Sequence, residues 1–193
     1  MNIFLPSLPS MAAYYNTTPS VMSLSVAIYL GASALLQLFS GPISDRIGRR
    51  PVILVSLVLF IIASLATIWA PNAETFLALR FVQAFAATTM VLSRAIVRDT
   101  VGKDAAASKI AYVTMGMAVA PMIGPGIGGY LDKYFGWQAI FILLAALGVC
   151  IFILTWFDLG ETAPKGKTSF PKQVIEYKQL LSSQRFWGYC LAS

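Results

Sequence analysis

Histidine is absent from the 193 residues, and cysteine occurs only twice, at Cys150 and Cys190. Both cysteines lie in or beside apolar stretches and show no metal-ligand spacing. They read as buried small hydrophobes, not as a disulfide framework. Without histidine, a metal cluster or a nucleophile beside a base, a membrane enzyme is the weakest reading, and no cofactor is implied. Charge is scarce too: 11% of the residues are charged and 58% are hydrophobic. A soluble domain carries roughly 25% charged residues. A soluble chain of this length has too little interior to hide so much apolar surface. A bilayer can accept it, so composition places the chain in the membrane class. No signal peptide is visible, because the N-terminus lacks a basic region and a cleavage-like tail.

What is present is a series of apolar runs. Met1–Ser44 contains no charge, and Asp45 is the first charged residue. Asn16-Thr17-Thr18-Pro19 breaks this stretch in two. A complete crossing needs about 20 residues. Residues 1–13, with Pro6 and Pro9, are therefore expected to be the tail of a truncated first span. Residues 19–40 form a full second span. Residues 51–73, 110–131 and 134–157 are charge-free runs long enough to cross. Residues 75–97 make a fourth span that carries Arg80 and Arg94. Residues 158–184 are polar and read as a connector. Residues 185–193 turn apolar again, as the start of a truncated seventh span.

The net charge of +6 is not spread as a nucleic-acid stripe. Arg46, Arg49 and Arg50 lie between spans two and three. Arg94, Arg98, Lys103 and Lys109 lie between spans four and five. Lys165, Lys167, Lys172, Lys178 and Arg185 follow span six. The other loops hold one basic residue, Lys133. Lys and Arg collect on the cytoplasmic side, so these three segments, the connector included, face the cytoplasm. Trp69, Tyr130, Tyr134 and Trp137 fall at the expected outer boundary, and Trp156 at the inner one, as an interfacial belt.

Three motifs carry a mechanism. The first is Gly41-Pro-Ile-Ser-Asp45-Arg46-Ile-Gly48-Arg49-Arg50-Pro51. Gly41 and Gly48 permit tight backbone geometry, and Asp45 is an anion among arginines. A short positive-inside hairpin would explain the arginines but not the fixed Asp-Arg and Gly-Arg-Arg spacing. The motif resembles the signature between the second and third spans of the major facilitator superfamily, matching at Gly41, Asp45, Arg46, Gly48, Arg49 and Arg50. The resemblance implies a conformational gate, with Asp45 clamped to an arginine at the inner end of span four. Arg94 and Arg98 are the local partners.

The second motif is Arg80-Phe-Val-Gln83-Ala84-Phe-Ala86. An arginine inside a span is costly and marks function by default. Near an outer boundary it reads equally as snorkelling. The segment resembles a motif of drug:proton antiporters at Arg80 and Gln83, with Ala84 and Ala86 where that motif has glycine. The resemblance ties Arg80 and Gln83 to proton coupling. The third motif is Ala120-Pro121-Met-Ile-Gly124-Pro125-Gly126-Ile-Gly128-Gly129. Proline removes a backbone donor and glycine lets a helix approach, so a kinked, tightly packed helix is predicted. A generic packing motif would look the same. It resembles the exporter-type motif of the superfamily at Gly124, Pro125, Gly128 and Gly129, which implies a seam between two halves.

Leu5-Pro6-Ser7-Leu8-Pro9 and Gly136-Trp137-Gln-Ala-Ile-Phe141 resemble the bicyclomycin-resistance branch of drug:proton antiporters. Asn2 stands near the place where that branch usually has aspartate. The spans as drawn contain no interior carboxylate. The titrating group therefore falls in a missing part, at an edge such as Glu74, or coupling is not to protons. The resemblance implies an all-α membrane protein, the N-terminal six-helix half of a twelve-helix fold. Its partners would be the lipid bilayer, a small-molecule substrate and the missing C-terminal half, with no nucleic acid. The substrate would bind between the halves near the midplane. Tyr29, Gln37, Gln83 and Met90 are cavity candidates by polarity or softness, and each is equally explained by packing. The leading reading is proton-driven drug efflux by alternating access across a bacterial inner membrane, powered by the proton gradient. A metabolite or sugar transporter is the alternative within transport, and a non-transporting receptor or assembly protein the alternative outside it.

Overall fold

The computed structural model describes residues 2–100 and 103–160, and the side chains of residues 3–97 and 108–160 within them. The side chains of Asn2 and Arg98, residues 161–184 of the expected connector and residues 185–193 of the expected seventh span lie outside the described residues. Among the described residues every regular element is helical. A 3₁₀ segment, Asn2–Ser7, leads into α1 (Leu8–Tyr14). Then follow α2 (Pro19–Ile47), α3 (Arg49–Ile68), α4 (Ala73–Gln83), α5 (Ala86–Thr100), α6 (Lys103–Phe135) and α7 (Gln138–Asp158).

Local chemistry sets the helix ends. Asn16 takes a left-handed φ of 49° before α2 begins. Thr18 caps α2, its hydroxyl accepting from the Val21 N–H at 3.4 Å, and Pro19 fills the first helical position. Asn72 caps α4 through the Thr75 N–H at 2.8 Å. Gly136, at φ 81°, ends α6 by donating to the Asp132 carbonyl at 3.1 Å.

The helices depart from the expected spans where the motifs lie. The segment Gly41–Pro51 is not a loop. It is helical throughout except at Gly48, whose φ of 109° and ψ of 149° only glycine adopts easily. Gly41 sits inside α2 with nothing within 4 Å of a Cβ there, so it is not needed for tight geometry. Span four breaks between α4 and α5, where Ala84, Phe85, Ala87 and Thr88 donate three residues back instead of four. α6 runs through Pro121 and Pro125 as one helix.

Burial follows a bilayer logic. α2 turns Ser25, Tyr29, Ser33, Ser40 and Ser44 into the bundle, a stripe of mostly small residues that lets helices approach. Ser25, Ser40 and Ser44 bond carbonyls one turn back in their own helix, at 2.6, 3.0 and 2.8 Å, so their hydroxyls are satisfied without water. The opposite faces expose Leu30, Leu35, Phe39, Ile62, Leu154 and Phe157. In water such apolar faces would aggregate; in lipid they are solvated. Among the described residues five helical stretches are long and apolar enough to cross: Pro19–Ile47, Arg49–Ile68, Ala73–Val97, Ser108–Phe135 and Gln138–Asp158. Trp69, Tyr130 and Tyr134 are exposed, as an interfacial belt requires. Trp137 is not part of it. It is buried against Tyr14, Tyr15, Phe76 and Phe141, because the Gly136 turn folds it back into the core.

Candidate functional site

Arg80 stands in the last turn of α4 and is 1% exposed. Its Nη1 donates to Gln83 Oε1 at 2.8 Å, and Gln83 Nε2 donates to Ser64 Oγ on α3 at 3.0 Å. The three-residue spacing of Arg80 and Gln83 puts both on one helix face, which is why the pair forms. Snorkelling is thereby ruled out: the guanidinium points inward. Its Cζ lies 3.7 Å from the centroid of the Phe4 ring, 4.9 Å from that of Phe141 and 5.4 Å from that of Phe76. Nε and Nη2 are buried without a hydrogen-bond partner. Among the described residues no carboxylate pairs with this cation. Aromatic faces take the place of a counter-ion, each worth about 2 kcal/mol when dry. Sequence reasoning missed Phe4, Phe76, Phe141 and Ser64, since aromatics scattered over three helices carry no local signature.

The gate motif lies at the opposite end. Asp45 pairs with Arg49 at 3.7 Å, one turn on across Gly48. The expected partner Arg94 does not pair with it; its Nη2 reaches Met117 Sδ on α6 at 3.3 Å. The three side chains do share a cavity of about 400 Å³ with Gly41, Ser44 and Ile110. Arg46 is exposed. Arg50 turns away from the cavity and donates to the Trp156 carbonyl at 2.9 Å, with its guanidinium 5.7 Å from that ring. Arg49 and Arg50, adjacent in sequence, thus serve α2 and α7 respectively.

The third motif packs inside this half. Gly124, Gly128 and Gly129 receive the 3₁₀ segment: Ile3 lies 3.7 Å from a Cβ at Gly124, and Pro6 at the same distance from one at Gly129. A Cβ at Gly128 would land on the Ile3 carbonyl oxygen and 2.7 Å from its carbon. Gly126 faces open space. At the end of this seam Ser10 Oγ donates to Asp132 Oδ2 at 2.7 Å. Asp132 belongs to none of the three sequence motifs. Its position, one turn beyond Gly128, was the available signal.

Of the cavity candidates, Tyr29 and Gln83 both lie near Arg80, and Gln37 and Met90 do not join them. Tyr29 is buried against Ala32 and Ala84. Gln83 is held by Arg80 and Ser64. Gln37 is exposed on α2. Met90 lines a separate groove with Ile53, Leu57, Met117 and Ile151.

The sequence model of the Major Facilitator Superfamily matches residues 1–193. The chain belongs to this superfamily. It is a multi-pass membrane protein of a transporter family, not of an enzyme family. A bicyclomycin resistance protein homolog of Haemophilus influenzae is 33% identical over 86% of the chain and 42% of its own length. The multidrug resistance protein MdtL of Escherichia coli is 32% identical over 94% of the chain and 47% of its own. The MFS-type transporter YdgK of Bacillus subtilis is 35% identical over 99% of the chain and 49% of its own. The chain spans about half the length of these curated relatives, as one half of a major facilitator fold would.

Proposed function

We propose that this chain is one half of a proton-driven exporter of amphipathic small molecules, drugs among them, in a bacterial inner membrane. The observation that carries the reading is Arg80, a buried cation with two free donors and aromatic rings in place of a carboxylate. A permanently charged group in an apolar setting biases the proton affinity of any carboxylate presented to it, so binding elsewhere can be coupled to proton movement. Arginine itself does not release the proton. Relatives named for bicyclomycin and multidrug resistance support the substrate class. In this reading the second half supplies the opposite wall of the cavity, and alternating access moves the substrate outward. Asp45, Arg49 and Arg94 form the inner gate. The four described carboxylates, Asp45, Glu74, Asp132 and Asp158, all lie near helix ends.

The test uses the complete parent gene in drug-sensitive bacteria. Accumulation of chloramphenicol and of a cationic dye is followed with and without a protonophore. Lower accumulation that the protonophore abolishes is expected. Unchanged accumulation of both compounds, with membrane expression verified, would favour the metabolite reading instead.

A further inference from the structure

We propose that Phe4 is the positioning residue of Arg80, and that the 3₁₀ segment carrying it is a shutter over the buried cation, seated by the glycine groove of α6. Its part in transport rests on the proton-driven reading; the pairing itself rests on the geometry. The guanidinium carbon of Arg80 stands 3.7 Å from the centroid of the Phe4 ring. That is an ordinary carbon–carbon contact distance, about 3.5–4.0 Å. It is reached only over the face of the ring, because an approach from the edge adds the ring's own radius. The negative face of Phe4 therefore meets the cation. Phe141 and Phe76 stand farther off, at 4.9 and 5.4 Å.

The three rings are not held alike. Phe76 and Phe141 meet edge to face at 5.9 Å, and both pack on Trp137, at 6.4 and 5.8 Å. Phe76 also stands on α4 itself, one turn before Arg80. These two rings are fixed in an aromatic cluster. Phe4 is equally buried, yet among the described residues its ring pairs with no other ring. Its backbone is seated from the opposite side. The neighbouring residue, Ile3, lies so close on α6 that a Cβ at Gly128 would land on its carbonyl oxygen, and Pro6 rests over Gly129. Pro6 has no N–H to donate, so the segment is short of helical bonds of its own and is held by what it lies on. A shift of α6 along this seam moves Ile3, and Phe4 with it. With the ring in place, Nη1 of Arg80 is held by Gln83 while Nε and Nη2 are buried without a hydrogen-bond partner. With the ring withdrawn, those two donors open to a carboxylate or a water molecule. The position of the first segment on α6 thus sets whether the charge is sealed or available.

The experiment replaces Phe4 in the full-length parent with progressively fluorinated phenylalanines, which keep the ring's shape and drain its negative face, and separately with leucine. In proteoliposomes under an imposed proton gradient, proton movement is followed with and without a cationic dye. The ratio of dye-evoked to dye-free movement is expected to fall stepwise with fluorination, and at least about tenfold in Phe4→Leu. Structural damage alone would lower both movements together and leave the ratio. In detergent, the melting temperatures of Phe4→Leu, Arg80→Gln and the double variant form a cycle. Phe4→Leu should lower the melting temperature less when Arg80→Gln has already removed the charge. Additive shifts would overturn the pairing. The fluorinated rings replace leucine in the cycle should Phe4→Leu fold poorly. A ratio unchanged by fluorination, in a parent that does move protons in response to the dye, would overturn the shutter and leave the proton-driven reading intact. If the dye evokes no proton movement in the parent while the cycle shows coupling, the proton-driven reading fails and Phe4 remains the positioning residue of Arg80.

Discussion

At Arg80, two of the three guanidinium nitrogens have no partner, yet the side chain is buried. A charge in the bilayer interior costs at least about 3 kcal/mol, and the stack on Phe4 with the bond to Gln83 offsets part of it. A lysine keeps the charge but loses the fork that bonds Gln83 and the broad guanidinium face set against the rings. Arg80→Lys in the parent is therefore expected to reach the membrane at near-normal abundance and to lose protonophore-sensitive export at least tenfold. Export at the wild-type rate would remove Arg80 from the coupling mechanism. The pairing of Arg80 with Gln83 was legible in the sequence, because a three-residue spacing inside an apolar run fixes their shared face. The cage was not. Phe4 and Phe141 are far from Arg80 in sequence, and only tertiary packing brings their rings to it. Asp45 tells a similar story. Its spacing marks it, but its actual partner depends on the Gly48 turn, which sets α3 so that Arg49 comes to 3.7 Å. Asp45→Asn is expected to leave the fold intact and to impair transport. Transport at the wild-type rate would contradict the gate role.

At the level of helices, the glycines of α6 divide into those that matter and those that do not. A methyl at Gly128 meets the Ile3 carbonyl, a backbone atom with no rotamer to escape into. A methyl at Gly126 meets nothing. Gly128→Ala should cost about 1–3 kcal/mol through overpacking and lower both melting temperature and membrane yield, while Gly126→Ala leaves both unchanged. Equal effects would mean that the first segment does not lie on this seam. At Gly148 an added methyl meets Ile61 at 2.9 Å and Phe60 at 3.2 Å, side-chain atoms that can shift, so a milder loss is expected. That the chain is built of apolar helices could be read from the apolar runs, since length and hydropathy decide insertion. The helix ends could not. Loop-like chemistry at Gly41 and Pro42 was overridden because α2 continues to Ile47. Charge also misplaces boundaries: Asp132 and Lys133 lie inside α6, bonded to Ser10 and stacked on Tyr134.

Across the whole molecule, the bundle has two distinct ends. Phe4, Phe76, Trp137 and Phe141, with Met22 among them, form a largely aromatic core at one. The other holds the gate motif, the Arg50–Trp156 strut and an open cavity beside Asp45. The exposed apolar face of α6, including Met115, Met122 and Ile123, has no partner helix among the described residues. In the proposed twelve-span protein part of it would meet the second half. These 193 residues alone are accordingly expected not to transport in proteoliposomes. The central claim is that export runs on proton entry. It is tested most directly with the purified full-length parent in proteoliposomes carrying a pH-sensitive dye. Under an imposed proton gradient, adding a cationic drug on the side from which it is exported should speed proton movement down the gradient, and Arg80→Lys should abolish that increase. Drug transport that proceeds with no associated proton flux would contradict the account.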